Sequence, residues 1–338
     1  TQPSYQKLRG GYYTPEPIAD FLASWAIRSH SDEVLEPSCG DGNILTAAVR
    51  CLLGQGADIA TLNQQLHAVE LDPQEAAKAT QRLQELGLPT SSNHTIHVGD
   101  FFAHCQQHLF GEKVLTLVVK ERQRFDAVVG NPPFIRYQHF PEAHRQIAFS
   151  MMERAGLHPS RLTNAWLPFL VVGSLLLKEE GRLAMVIPAE LFQVNYAAEV
   201  RQFLSDYFNR VTLVTFQHLV FEDIQQEVVL LLAERDQSST AGVRAVELDN
   251  IKDLATLTSV DLDTAALKPM DHSTEKWTQY FLEPEEIHLL RKIREHPGVT
   301  IADQVLDVDV GIVTGRNAFF VLSEAEVKQH GLEPYLER

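Results

Sequence analysis

Glu36, Glu70, Asp100 and Asn131 stand 34, 30 and 31 residues apart, and each ends or follows a short apolar run. The runs are VLE (34–36), QLHAVEL (65–71), HTIHVG (94–99) and RFDAVVG (124–130). Such an interval is about one strand plus one helix. Four polar groups are therefore delivered in succession to the carboxyl ends of parallel strands, where open α/β sheets bind ligands. Taken singly, an acid after a strand reads as a helix cap. Taken together, the four predict a site.

The first of these strands runs into EPSCGDGN (36–43), which contains Glu36, Pro37, Ser38, Gly40 and Gly42. The two glycines permit a tight turn and close approach of backbone to ligand. A dinucleotide fingerprint would need a third glycine where Leu45 stands, and no GxxxxGKS/T phosphate loop occurs in the chain. A nucleoside without pyrophosphate fits better. Glu70 is placed to accept ribose hydroxyls. Asp100 is placed to accept from an adenine amine, with Phe101 against the ring face. The ligand these positions imply is S-adenosylmethionine.

The fourth strand ends in Asn131-Pro132-Pro133-Phe134. Two successive prolines donate no backbone hydrogen bonds, so a sheet cannot continue through them. They do hold a backbone carbonyl stiffly. An exocyclic amine on an aromatic base is a poor nucleophile because its lone pair is delocalised into the ring. Two acceptors aimed at its two N–H bonds, the Asn131 side-chain oxygen and the Pro132 carbonyl, would favour a tetrahedral nitrogen with an available lone pair. Phe134 then offers a stacking face for such a ring.

The elements that must position these residues alternate strand and helix. Helical stretches are expected at 43–53, 73–87 and 164–179, with a fifth parallel strand at 181–188. This pattern predicts an α/β fold with a mostly parallel sheet and helices on both faces. Runs 209–216 and 226–234 are separated by too few residues for a helical crossover, which predicts an antiparallel hairpin at one sheet edge. The whole chain has 338 residues, 44% hydrophobic and 22% charged, the composition of a globular protein of about two domains. LPFLVVGSLLL (167–177) is too short to span a bilayer, so no membrane partner is expected. Cys39, Cys51 and Cys105 have neither disulfide nor metal-site spacing, which predicts no metal and fits a reducing cytoplasm. The net charge of −16 argues against indiscriminate nucleic-acid binding and leaves room only for a local basic surface.

In the order EPSCGDG, VELD, GDFF and NPPF, after YYTPEPIADFL (12–22), the motifs resemble the gamma class of DNA amino-methyltransferases, especially the TaqI-like adenine-N6 family. The resemblance is carried by residues 12–134 and continues more weakly to 234. It implies a class I S-adenosylmethionine-dependent methyltransferase, Rossmann-like, with a seven-stranded sheet and an antiparallel edge hairpin. It also implies that Tyr13, Thr14, Pro15, Glu36, Ser38, Glu70, Asp100 and Phe101 contact the cofactor, and that the substrate is adenine in double-stranded DNA. Thr14-Pro15 equally reads as a helix N-cap followed by proline at the first helical position.

The expected domains are a methyltransferase at 1–236, a connector at 237–274 and the start of a target-recognition domain at 275–338. That last domain is expected to be incomplete, with specificity or nuclease parts elsewhere. Residues 135–161 carry Arg136, Arg145, Arg154 and Arg161 against Glu142 and Glu153, a candidate phosphate-contacting segment or an ordinary solvated helix face. Arg316, in a stretch resembling the opening of a recognition domain, is a further nucleic-acid candidate. Trp166 is expected in the core. Glu326-Val327-Lys328 matches the tail of a nuclease ExK motif without its Pro-Asp partner, so no nuclease is assigned. Methylation of RNA or of a protein glutamine is the alternative reaction. A non-catalytic DNA-binding or assembly module is the alternative class.

Overall fold

The computed structural model describes residues 13–88, 95–109, 124–220, 227–236, 240–300, 302–307, 322–332 and 334. Eight strands form one sheet: β1 (Val34–Glu36), β2 (Leu66–Glu70), β3 (Ile96–Val98), β4 (Phe125–Gly130), β5 (Leu177–Pro188), β6 (Arg210–Phe216), β7 (Val228–Glu234) and β8 (Gly242–Leu248). Their order is β3-β2-β1-β4-β5-β7-β6-β8. The first five are parallel, while β7 runs antiparallel between β5 and β6. The first four strands thus all end on the same side of the sheet, as the spacing of their terminal polar residues requires.

Both faces of the sheet are covered, so its strands are apolar on both sides and consecutive residues enter different cores. Leu35, Val69, Val128, Leu183, Met185 and Leu231 point into one cluster, and Val34, Ala68, Ala127, Val129, Ala184 and Leu230 into the other. Helices α1 (Glu16–Ala26), α2 (Asn43–Gly54) and α3 (Pro73–Glu85) contribute Ile18, Leu22, Leu45 and Ala79 to the second cluster. After the single turn α4 (Phe101–His104) come α5 (Glu142–Arg154), α6 (Trp166–Leu175) and α7 (Ala198–Tyr207). These supply Met151, Met152, Trp166, Leu170 and Leu204 to the first cluster, and Trp166 is a core residue as expected.

The structure departs from the sequence reading in three places. The helix expected over 164–179 ends at Leu175, and Leu177 already pairs with Phe125 in the sheet. LPFLVVGSLLL is apolar throughout, and an unbroken apolar run carries no period to mark where helix gives way to strand. Among the described residues the sheet has eight strands rather than seven. The segment expected as a connector, 237–274, carries β8, which pairs in parallel with β6 over seven positions and leaves the hairpin one strand inside the edge. This pairing satisfies the outer backbone groups of β6, which would otherwise form an open edge.

Residues up to Pro284 make one compact unit and Glu285–Arg338 a second. In the second unit, Ser323 and Glu326 form a reciprocal capping box at the start of the helix Glu324–His330. The Glu326 carboxylate accepts from the N–H and Oγ of Ser323 at 2.8 and 2.7 Å, so the ExK-like stretch is accounted for by a helix cap. Among the described residues, no helix is long and apolar enough to cross a membrane.

Candidate active site

Glu36, Glu70, Asp100 and Asn131 line a single cavity of about 230 Å³ at the carboxyl ends of β1 to β4. Tyr13, Thr14, Pro37, Ser38, Gly40, Phe101 and Pro133 line it too, whereas Pro15, Gly42, Pro132 and Phe134 stand outside the lining. Five carboxylates face the cavity (Glu36, Asp41, Glu70, Glu75 and Asp100), and no lysine or arginine is among the described residues that line it. A phosphate would be repelled there; a cation would be held.

Two carboxylates tie the strand-end loops together. Glu70 Oε2 accepts from the N–H of Gly40 at 2.8 Å, and Glu70 Oε1 accepts from the N–H of Asp72 at 2.8 Å. The acid that ends β2 therefore shapes the loop after β1. Asp100 caps α4, its Oδ1 accepting from the N–H of Ala103 at 2.9 Å. Its other oxygen lies 3.4 Å from His144 Nδ1. Asp100 thus caps α4 and also lines the cavity.

The two glycines divide the work. Gly40 has φ 53°, and a Cβ there would meet nothing within 4 Å, so its bare Cα leaves open space in the cavity. Gly42 has φ 87° and serves packing instead: a Cβ would stand 2.8 Å from Ala79 Cβ and 2.9 Å from Ala79 Cα on α3. Gly42→Ala is therefore expected to destabilise the fold by roughly 2–4 kcal/mol, from the clash plus left-handed backbone strain. Gly40→Ala is expected to cost only about 1 kcal/mol of that strain. Urea unfolding of the two variants measures the difference.

Glu36 is 1% exposed, and its Oε2 has no hydrogen-bond partner among the described residues. Burial pushes its carboxyl pKa well above the ordinary range; Asp41 and Glu70 push it further, and an N–H of Leu45 pulls the other way. An orphaned carboxylate oxygen at a cavity wall is costly unless a cationic or donor group meets it. S-Adenosylmethionine fits this set of groups, since it carries an ammonium and a sulfonium at one end and a ribose diol with an adenine amine at the other.

Thr14, 5% exposed, joins the glycine loop to the NPPF loop. Its Oγ1 accepts from Asn131 Nδ2 at 3.1 Å, and its carbonyl accepts from Asn43 Nδ2 at 3.1 Å. Nδ2 of Asn131 is thereby committed, which gives Oδ1 the accepting role in the amide. Thr14 is consequently not the helix cap. Pro15 is the N-cap residue of α1, its carbonyl accepting from Ile18 and Ala19 at 3.0 Å each. Ser38 Oγ donates to the Asn131 carbonyl at 3.4 Å. Pro132 is buried, and Phe134 is half-buried against both hydrophobic clusters.

Phe101 lines the cavity with its ring stacked on Phe169 at 5.3 Å and 11°. Phe169, on α6, went unread because 68 residues separate the two and an all-apolar helix marks no special position. Asn43, Asp41 and Glu75 were also missed. Asp41 pairs with Arg82 at 2.6 Å, and Glu75 accepts from Tyr13 Oη at 3.2 Å. Asn43 and Asp41 belong to the glycine loop already singled out, so their positions were the available signal.

Of the segment read as phosphate-contacting, His139 and His144 line the cavity. Arg145 is turned inward: NH1 donates to the carbonyls of Tyr137 and Phe140 at 3.2 and 3.0 Å, and its guanidinium lies 4.2 Å from the Tyr137 ring centre. It holds the turn after NPPF and is removed from the list of phosphate contacts. Arg136 and Arg161 are exposed, and Arg316 lies outside the described residues.

Residues 54–221 match the family of Eco57I restriction-modification methylases, and residues 274–338 match the C-terminal domain of the type II methyltransferase M.Eco57I. The type II methyltransferase M.AccI of Acinetobacter calcoaceticus is 23% identical over 347 residues, covering 98% of this chain and 56% of that protein. M.XamI of Xanthomonas campestris pv. amaranthicola is 23% identical over 316 residues, covering 93% and 54%. The chain thus spans about half the length of these curated relatives. A solved class I S-adenosylmethionine-dependent methyltransferase from Listeria monocytogenes superposes with a TM-score of 0.54 at 17% identity, covering 75% of this chain and 72% of that one. The fold is that of class I S-adenosylmethionine-dependent methyltransferases. With this fold, and with family matches over residues 54–221 and 274–338, the chain is similar to the restriction-modification methyltransferases.

Proposed function

We propose that this chain is the catalytic part of a gamma-class, TaqI-like DNA methyltransferase that modifies adenine N6 with S-adenosylmethionine in a restriction-modification system. The observation that carries the reading is the Asn131 amide, oriented by Thr14 in the same cavity wall as Glu36, Glu70 and Asp100. The relatives, named type II methyltransferases, support DNA as the substrate.

Glu36 holds the cationic end of the cofactor, Glu70 the ribose hydroxyls and Asp100 the adenine amine, with Phe101 and Phe169 as the apolar wall. When bound, the cofactor supplies a methyl group already activated by its sulfonium charge. Asn131 Oδ1 and the Pro132 carbonyl accept the two N–H bonds of a flipped-out base and free its lone pair. Positioning supplies much of the acceleration, so no dedicated base is assigned, and the proton leaves the methylated nitrogen after transfer. Asn as the first residue of NPPF supports adenine over cytosine, whose N4 enzymes resemble this one less.

Labelled methyl transfer to duplex DNA, RNA and release-factor glutamine, with nucleoside mass spectrometry of the product, tests the reading. N6-Methyladenine in DNA is expected. Label only in RNA or protein would reassign the substrate, and cofactor binding without transfer to any acceptor would favour a binding module.

Of the arginines, exposed Arg136 and Arg161 are assigned to phosphates. Replacing either by Ala is expected to reduce the slope of log Kd against log salt by about 0.9. Arg145→Ala is expected to lower Tm and leave that slope unchanged, because its NH1 is committed to the carbonyls of Tyr137 and Phe140.

A further inference from the structure

A fifth strand also delivers an acid. β5 ends at Pro188, and Glu190 follows in the turn Ala189–Phe192. Its carboxylate accepts from the Tyr196 hydroxyl. The same hydroxyl accepts from Asn164 Nδ2 at 2.9 Å, and Glu190 Oε2 lies 3.5 Å from that nitrogen. With Nδ2 committed on this side, Asn164 Oδ1 accepts from the N–H of Tyr137 at 3.3 Å. The next residue, Ala165, donates its N–H to the Ile135 carbonyl at 2.9 Å. The strand-end segment directly after NPPF is therefore fastened at two successive peptide groups by the start of α6. The carbonyl of Tyr137 is fastened in turn by Arg145 at 3.2 Å.

The geometry points to Glu190, Tyr196 and Asn164 as a positioning relay that holds the NPPF loop in register for its reaction. This inference rests on the function proposed above. A side-chain amide alone can present either its oxygen or its nitrogen to Tyr137, and only the oxygen can accept. Tyr196 and Glu190 decide between the two orientations, because a phenol that gives its proton to a carboxylate has only lone pairs left for Asn164. Burial and the neighbouring Glu190 charge raise the Tyr196 pKa above the ordinary tyrosine value, which keeps that phenol protonated. None of the three residues lines the cavity holding Glu36 and Glu70, so their influence falls on the loop and not on cofactor contacts.

Tyr196→Phe, Glu190→Gln and the double variant provide the test, each read three ways in the intact protein. Amide hydrogen exchange at Tyr137 is expected to quicken in Tyr196→Phe, where Asn164 loses its nearer acceptor and keeps only the long contact to Glu190. Single-turnover methyl transfer to DNA is expected to fall by about tenfold, since small misplacements of reacting groups are costly. The cofactor Kd is expected to stay within about twofold, and the double variant to resemble the worse single one, as for members of one network. Unchanged exchange at Tyr137, unchanged transfer, or a cofactor Kd that weakens in step with the rate would overturn the relay. The exchange measurement needs no methyl acceptor. If the wild-type protein methylates no DNA, the proposed function fails while exchange still decides whether these residues hold the loop.

Discussion

Asn131→Ala is expected to lower the rate of methyl transfer about 10²–10³-fold while the cofactor Kd moves by no more than a few-fold, the loss typical of removing one preorganised hydrogen-bonding group from a reacting centre. Its side-chain nitrogen and its backbone carbonyl both have partners in the structure. Its Nδ2 donates to Thr14 at 3.1 Å and its backbone carbonyl accepts from Ser38 at 3.4 Å. Only the side-chain oxygen is assigned to the substrate amine. Alanine keeps the backbone carbonyl and the prolines after it, so the Pro132 acceptor survives and some activity remains. The lost bond to Thr14 costs the fold about 0.5–1.5 kcal/mol. Single-turnover transfer with isothermal titration of the cofactor separates the contributions. A Kd that weakens as much as the rate falls would make Asn131 a cofactor ligand and end its assignment as the amine acceptor.

Glu36→Gln is expected to make the ligand-free protein more stable at neutral pH and cofactor binding roughly 10–100-fold weaker. Both effects follow from a carboxyl group buried with an unpartnered oxygen, its pKa raised by burial first and by Asp41 and Glu70 next. At pH below the ordinary carboxylate range, folded and unfolded chains both carry the proton and Glu36 contributes no pH slope. As the pH rises through that range the unfolded chain releases the proton while the folded chain keeps it. Stability falls with rising pH across this window, and the fall stops once the raised folded-state pKa is passed. Glutamine has no proton to release. Its Tm advantage over wild type should therefore be largest above the window and vanish in acid, which melting curves at a series of pH values will show.

The same proton links Glu36 to its ligand. A cationic group meeting Oε2 favours the carboxylate, so wild-type binding should release a proton and tighten as pH rises. The glutamine variant should lack this contribution. Titration calorimetry in buffers of different ionisation enthalpy reads the proton count directly. An equal count in both proteins would show that Glu36 does not face the cofactor's charge.

Much of the site was legible because its residues end strands. The interval between Glu36, Glu70, Asp100 and Asn131 reports the βα repeat, and parallel strands of one sheet must place their ends together; the cavity they share follows from that. NPPF was legible because two prolines stop a strand wherever they occur. The hairpin was legible because the link between β6 and β7 is too short to cross the sheet. The glycine loop was legible as a loop, though its second glycine was assigned to the wrong partner.

Tertiary packing decided the rest. Nothing near Gly42 in the chain announces that Ala79 will press against it, nor does anything near Arg145 announce that the carbonyls of Tyr137 and Phe140 will face it. β8 hid behind a polar tract because a strand on a sheet edge needs only a partner's backbone, not a distinctive sequence. Thr14 and Asn131 are 117 residues apart, and their hydrogen bond exists because α1 and β4 pack into one core. Sequence periodicity therefore determined which side chains reach the carboxyl end of the sheet. Which atoms of those side chains meet there was set by contacts between distant elements, for which a local pattern carries no code.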